Sequence, residues 1–230
     1  MSDHQRTNTI FEPAPLAVLL GTGTFLAALI SYFLSAAYGH VPWCVVFWES
    51  CSSISAAGRK PPAFFTFKAM LLPLAGVMFL YWLLLESWLR RVENRAPGLL
   101  STLSVLGLIA TVALILYTTM LGAIGELYQL QRRIGIILFF GLTAFAHLLM
   151  LKRLWRLDSS RRPPWTRVQM TLSVLLLAGG VGNSVLKMAM GDDFDRLEDS
   201  IEWVFAVVMV SQFTITGLAW RDTGFRLSVT

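Results

Sequence analysis

Six apolar blocks limit what this chain can become: residues 16–37, 64–88, 99–121, 134–151, 168–188 and 201–220. About 20 apolar residues in a helix cross roughly 30 Å of hydrocarbon. The fourth block is the shortest and still meets the lower limit for a span. Soluble domains average about 25% charged residues; this chain of 230 residues carries 14%, against 55% hydrophobic. The blocks therefore predict an all-α polytopic membrane protein, one bundle of six transmembrane helices. Residues 1–15 and 221–230 form short polar ends, and the bundle covers 16–220 with a long outer loop at 38–63. The polar start, with Asp3, His4, Arg6 and Glu12, and the length of the first apolar run argue against a cleaved signal peptide. The first helix is expected to stay in the membrane.

Charge sets the expected orientation. Of the 19 Lys and Arg, 12 fall on one side: Arg6, the 90–95 turn, the 152–167 turn, Arg221 and Arg226. Positive-inside bias then places both termini in the cytoplasm. The opposite side collects Glu49, Glu126, Asp192, Asp193, Asp195, Glu198, Asp199 and Glu202. The net charge of +5 is thus a topology signal. Basic residues split by membrane spans do not make the single basic face that nucleic-acid binding requires, so no nucleic-acid partner is expected. The orientation fits a bacterial inner membrane or a eukaryotic secretory-pathway membrane.

The longest connection between spans is the organising stretch, WCVVFWESCSSISAAGRKPP at 43–62. It lies on the outer side and is the natural roof over any site there. It holds both cysteines, Cys44 and Cys51, in what is then an oxidising compartment. Two readings stay open: a small disulfide ring, or two free, partly buried thiols. Two cysteines without a nearby histidine pair do not read as a metal site.

Ionisable groups are costly inside a bilayer, so those that remain are functional candidates. Glu126, Lys187 and Glu202 all fall near outer helix ends, beneath the loop. Together they can bind a lipid headgroup, or snorkel to the interface and pair with loop charges. One carboxylate can serve as a base if burial raises its pKa. Lys187 shares a helix face with Asn183, four residues earlier, in the run AGGVGNSVLK. Its three glycines permit either close packing or local unwinding. Ser53, Ser55 and Arg59 extend the candidate headgroup site into the loop. His147 lies about 20 Å down its helix and is read either as bonded to a carbonyl or facing polar group, or as a proton relay. Glu86 is expected to pair with Arg90 at i, i+4, and Pro73 and Gly76 to kink the second span. The GTGTF run, residues 21–25, offers small residues for close helix approach. No HExxH, GxSxG or P-loop occurs, and three histidines nearly exclude a multi-histidine metal hydrolase. No metal or cofactor is expected.

Several segments taken in order carry a resemblance: HVPWC and SSISAAGRKPP in the loop, PLAGVMFLYW in the second span, FAHLLMLKRLWR around His147, IEW at 201–203 and the ending AWRDTGF. With these the chain resembles the FRAG/DRAM/SFK group of membrane proteins, most closely the post-GPI-attachment lipid-remodelling type. His147, Glu202, Trp220, Asp222 and Gly224 keep the family pattern. Gly107-Leu108 replaces a carboxylate–amide pair of that pattern, and Gln131-Arg132-Arg133 replaces a His-Glu-Asn run. The resemblance implies six spans and a role in exchanging acyl chains of a lipid anchor. The expectation is a protein that binds a phospholipid or lipid anchor from the outer leaflet and assists its acyl remodelling. Glu202, Glu126 and His147 are the candidate catalytic residues, and Lys187, Asn183, Ser53, Ser55 and Arg59 the lipid-binding ones. The alternative is a non-catalytic membrane scaffold or regulator.

Overall fold

In the computed structural model, residues 9–96, 98–190 and 195–229 are described; the side chains of Thr9, Ser184, Met190, Asp195, Arg196, Ser228 and Val229 are not. Asp192 and Asp193 of the acidic turn, and Arg6, lie outside the described residues. The six long helices are α1 (Ala14–Ala37), α3 (Ala63–Val92), α4 (Thr102–Met120), α5 (Glu126–Trp155), α6 (Thr166–Met190) and α7 (Asp195–Asp222). A one-turn helix, α2 (Ile54–Ala57), lies in the loop, and β1 (Thr9–Phe11) pairs antiparallel with β2 (Leu227–Val229). All six long helices are long and apolar enough to cross a membrane. Each packs on its neighbours in sequence, and α1 closes the ring against α7.

Helix ends extend past the apolar blocks where polar residues still favour helix. α5 begins at Glu126, not 134, because ELYQLQRR carries no helix breaker. Its Arg132 guanidinium donates to the Met120 and Ala123 carbonyls (3.2 and 2.7 Å), satisfying the exposed C-terminal end of α4. α7 ends in a Schellman turn: the Phe225 N–H donates to the Trp220 carbonyl (2.9 Å) and the Gly224 N–H to Arg221 (3.0 Å). Gly224 sits at φ +61°, where a side chain is disfavoured.

Small residues set the helix spacing. A Cβ on Gly21 would meet Thr214 and Val210 of α7, and one on Gly217 would meet Ala14 and Val18 of α1. A Cβ on Gly107 of α4 would run into the Trp82 indole of α3. On α4 the stripe Val105, Ile109, Val112 and Leu116 is exposed, while Ser104, Ala110, Ala113 and Leu114 are buried. That separation is what a helix with one lipid face and one protein face shows. α3 runs as one helix through Pro73 and Gly76, where the kink is expected. α6 likewise stays helical through Gly179, Gly180 and Gly182; Gly179 packs against Phe205, and the other two face open space.

At the arginine-rich end, α3, α4 and α5 are tied by charge. The buried Glu86 accepts from Arg90 Nε and Arg153 Nη1 (2.9 Å each), from Ser104 (3.2 Å) and from Ser101. Arg153 also donates to both carboxylate oxygens of Glu93 (2.8 and 2.7 Å). The expected Glu86–Arg90 pair is thus one edge of a larger knot. The hydrogen bonds from Arg153 outweigh desolvation and hold the Glu93 carboxyl below the ordinary glutamate range.

Removing one member of a buried charged set leaves the others uncompensated. Arg153→Met should therefore lower the unfolding free energy by about 3 kcal/mol or more, measured as unfolding in detergent. The Glu93 contribution has a definite sign, because its folded-state value lies below its unfolded one. It is complete above the ordinary glutamate value and fades as pH falls through the folded-state value. Unfolding curves of the variant should lack that acid-side loss.

Candidate functional site

The loop at the other end is held by named contacts. Cys44 and Cys51 are disulfide-bonded with Cα atoms 6.5 Å apart, which decides between the two readings of that pair. The Tyr32 hydroxyl accepts from the Cys44 N–H (2.8 Å) and lies 2.9 Å from the Cys44 carbonyl, which accepts from it. Ser50 and Ser200 exchange two hydrogen bonds, each N–H to the other's hydroxyl (2.9 and 3.1 Å). The Trp203 indole donates to the Ser52 carbonyl (2.8 Å), and its ring meets Tyr32 and Phe47 edge-on. These contacts fasten the loop to α1 and to the first turns of α7.

They also fix α2 over the bundle. Ser53 is its N-cap, the hydroxyl accepting from the Ala56 N–H (3.0 Å). Glu202 lies beside this turn, its carboxylate within electrostatic reach of the Ile54 and Ser55 amides. A carboxylate near helix-start N–H groups is favoured by their partial positive charge. The Ser55 hydroxyl in turn bonds the Tyr117 hydroxyl of α4 (2.8 Å), and Tyr117 lies within electrostatic range of Glu202, Arg59 and Arg132.

Three cavities meet at this point. A small one of about 50 Å³ lies under α2, bounded by Ile54, Phe67, Tyr117, Glu202 and Trp203. A second, of about 260 Å³, is lined by Ser55, Asn183, Glu198, Glu202 and Phe205. The third is an apolar cleft of about 530 Å³ between α5, α6 and α7, running from Leu148 and Leu176 up to Val185 and Met188. Glu202 lines the first two, Phe205 the last two and Phe140 all three. The stretch of α6 from Leu176 to Met188 spans about 18 Å, close to the depth of one leaflet, about 15 Å. The cleft exists because α6 barely joins the bundle: 6% of its apolar window is buried, against 39–50% for the other spans.

The sequence candidates separate accordingly. Glu202, Ser55 and Asn183 come together, with Lys187 at the margin, where both oxygens of Glu198 hold its ammonium (2.9 and 2.7 Å). Asn183 Oδ1 is buried without a hydrogen-bond partner among the described residues. Arg59 is exposed and lines none of these cavities. Ser53 is committed to its cap. Glu126 is exposed on the first turn of α5, where its charge faces the helix N-terminus favourably; it does not border the cavities beneath the loop. Tyr117, Ser200 and Phe205 were not singled out, since nothing local in sequence marks a hydroxyl or ring whose partner is over 50 residues away.

His147 is buried in the bundle interior beside the apolar cleft, among Ala144, Leu148, Leu176, Leu177 and Met209, which line that cleft too. Its Nδ1 lies 3.0 Å from the Thr143 carbonyl, which can only accept, so in the neutral ring Nδ1 carries the proton. Nε2 then accepts from the Tyr81 hydroxyl (3.0 Å). Tyr81 reaches Thr216 (3.1 Å), which accepts from Gln169 (2.9 Å), and Gln212 donates to Ser173 (2.9 Å). This network ties α3, α5, α6 and α7 without bordering the cavities around Glu202.

Comparison of the chain with family models, with curated proteins and with solved structures finds no match.

Tyr81→Phe deletes the donor to His147 Nε2 and keeps the ring. It should destabilise the bundle by about 0.5–2 kcal/mol, the range of interhelical hydrogen bonds in membranes, measured by unfolding in detergent.

Proposed function

We propose that the protein takes one membrane lipid or lipid anchor from the outer leaflet, lays an acyl chain in the α5–α6–α7 cleft, and assists remodelling of that chain. The observation that carries this reading is an apolar cleft of leaflet depth that shares Phe140 and Phe205 as walls with a polar cavity lined by Glu202. Ligand sites are mostly apolar with a few convergent polar groups, and this one has that composition. The charged groups that line the polar cavity are carboxylates, Glu198 and Glu202, with the Ser55 hydroxyl beside them. The nearby ammonium, Lys187, is engaged by Glu198. A headgroup that donates hydrogen bonds, through hydroxyls or an amine, suits this cavity better than a bare phosphate. Glu202 is the group that would accept a proton during acyl transfer, with the Ser55–Tyr117 hydroxyl pair beside it; the acyl chemistry itself is supported by the family resemblance.

A second reading has its own support. The same carboxylate faces the α2 amides, a structural task that a non-catalytic scaffold would equally need.

Lipid mass spectrometry separates the two. In cells lacking the protein, acyl composition of the target lipid should shift, and wild-type chain should restore it. Glu202→Gln should not restore it at normal expression. Gly180→Leu should fail as well, because a Cβ there meets open space and a longer side chain occupies the cleft that Gly180 lines. Unchanged lipids on deletion, with loss of a membrane complex instead, would support the scaffold.

A further inference from the structure

The arginine-rich end holds a cavity unrelated to the Glu202 cleft. It has a volume of about 340 Å³ and is lined by Glu86, Arg90, Glu93, Arg95, Ser101, Arg153, Arg156 and Leu157. Four guanidinium groups against two carboxylates leave two positive charges facing one space. The roles within it differ. Glu86 and Glu93 engage Arg90 and Arg153, fixing their planes. Arg156 has no hydrogen-bond or ion-pair partner for its side chain among the described residues, and Arg95 touches Glu93 at 3.4 Å while remaining 68% exposed. The Ser101 hydroxyl, N-cap of α4, is turned to Glu86 and makes no cap bond to the α4 amides. Helix-start N–H groups lacking a side-chain cap favour an anion nearby.

We infer that this cavity binds a phosphate monoester dianion at the membrane surface, with Arg95 and Arg156 as its direct ligands and the Glu-anchored Arg90 and Arg153 as a rigid back wall. The charge balance selects the ligand. A phosphomonoester carries about −1.5 to −2 at pH 7 and neutralises the excess, whereas a phosphodiester carries one charge and leaves half of it uncompensated. Guanidinium forks match phosphate oxygens in pairs. Basic residues at this level also meet the negative surface of the cytoplasmic leaflet under the expected orientation. The shared chemistry is a terminal phosphate, supplied either by a lipid such as phosphatidic acid or by a soluble phosphate.

Native mass spectrometry of the full chain in detergent tests this. Dioleoyl phosphatidic acid should bind about tenfold tighter than dioleoyl phosphatidylglycerol, and the Arg95→Gln, Arg156→Gln double variant should lose that preference. Both replaced side chains are exposed, and the one ion pair lost is the weak contact of Arg95 with Glu93, so the variant should unfold as wild type does, and a parallel melt checks this. Arg156→Lys, which keeps charge and loses the fork, should retain part of the preference. Titrated inorganic phosphate gives the second arm. Displacement of phosphatidic acid by millimolar phosphate identifies a soluble source, and retention of the lipid identifies the membrane. Equal binding of the two lipids, or a double variant that binds phosphatidic acid as wild type does, overturns the proposal.

Discussion

Hydrocarbon offers no hydrogen-bond partner, so a polar group carried into it is costly unless it finds one inside the protein. That constraint explains which side chains meet. Buried Glu86 is surrounded by two guanidinium groups and two hydroxyls. His147, Tyr81, Thr216 and Gln169 form one chain of bonds across four helices. Where apolar helices have no water to drive them together, such contacts and close approach at small residues supply the specificity. Gly21 and Gly217 do so between α1 and α7, and Gly107 between α4 and α3.

The architecture was legible because length and hydropathy alone decide spans; all six apolar blocks became helices. Their ends were less so. Apolarity stops at Arg133, but helix propensity does not, and α5 starts two turns earlier. Glycine runs were ambiguous for a related reason. A Cβ on Gly179 would meet Phe205, while one on Gly180 or Gly182 would meet open space, and only packing tells them apart.

Around the Glu202 cavities, Glu202, Asn183 and Ser55 line one space, and their places at helix ends on one side of the spans already put them at one level in the sequence. It could not assign direction about each helix axis. Glu126 sits on the proper level but at an exposed turn, and Lys187 is engaged by a residue one turn into the next helix, Glu198. Pairings such as Ser50 with Ser200 or Ser55 with Tyr117 join distant segments through single hydroxyls. Serine in a loop is common enough that no local pattern marks these.

The short β1–β2 ladder carries a consequence for assembly. Thr9–Phe11 follows Val229–Leu227 in antiparallel register, so the earliest described segment of the chain finds its match among the last. During synthesis all six spans must be delivered to the bilayer before that ladder can zip. The strand near the start must therefore wait, unpaired, through the whole insertion sequence, and its closure marks the moment at which the ring of helices has both of its edges in place.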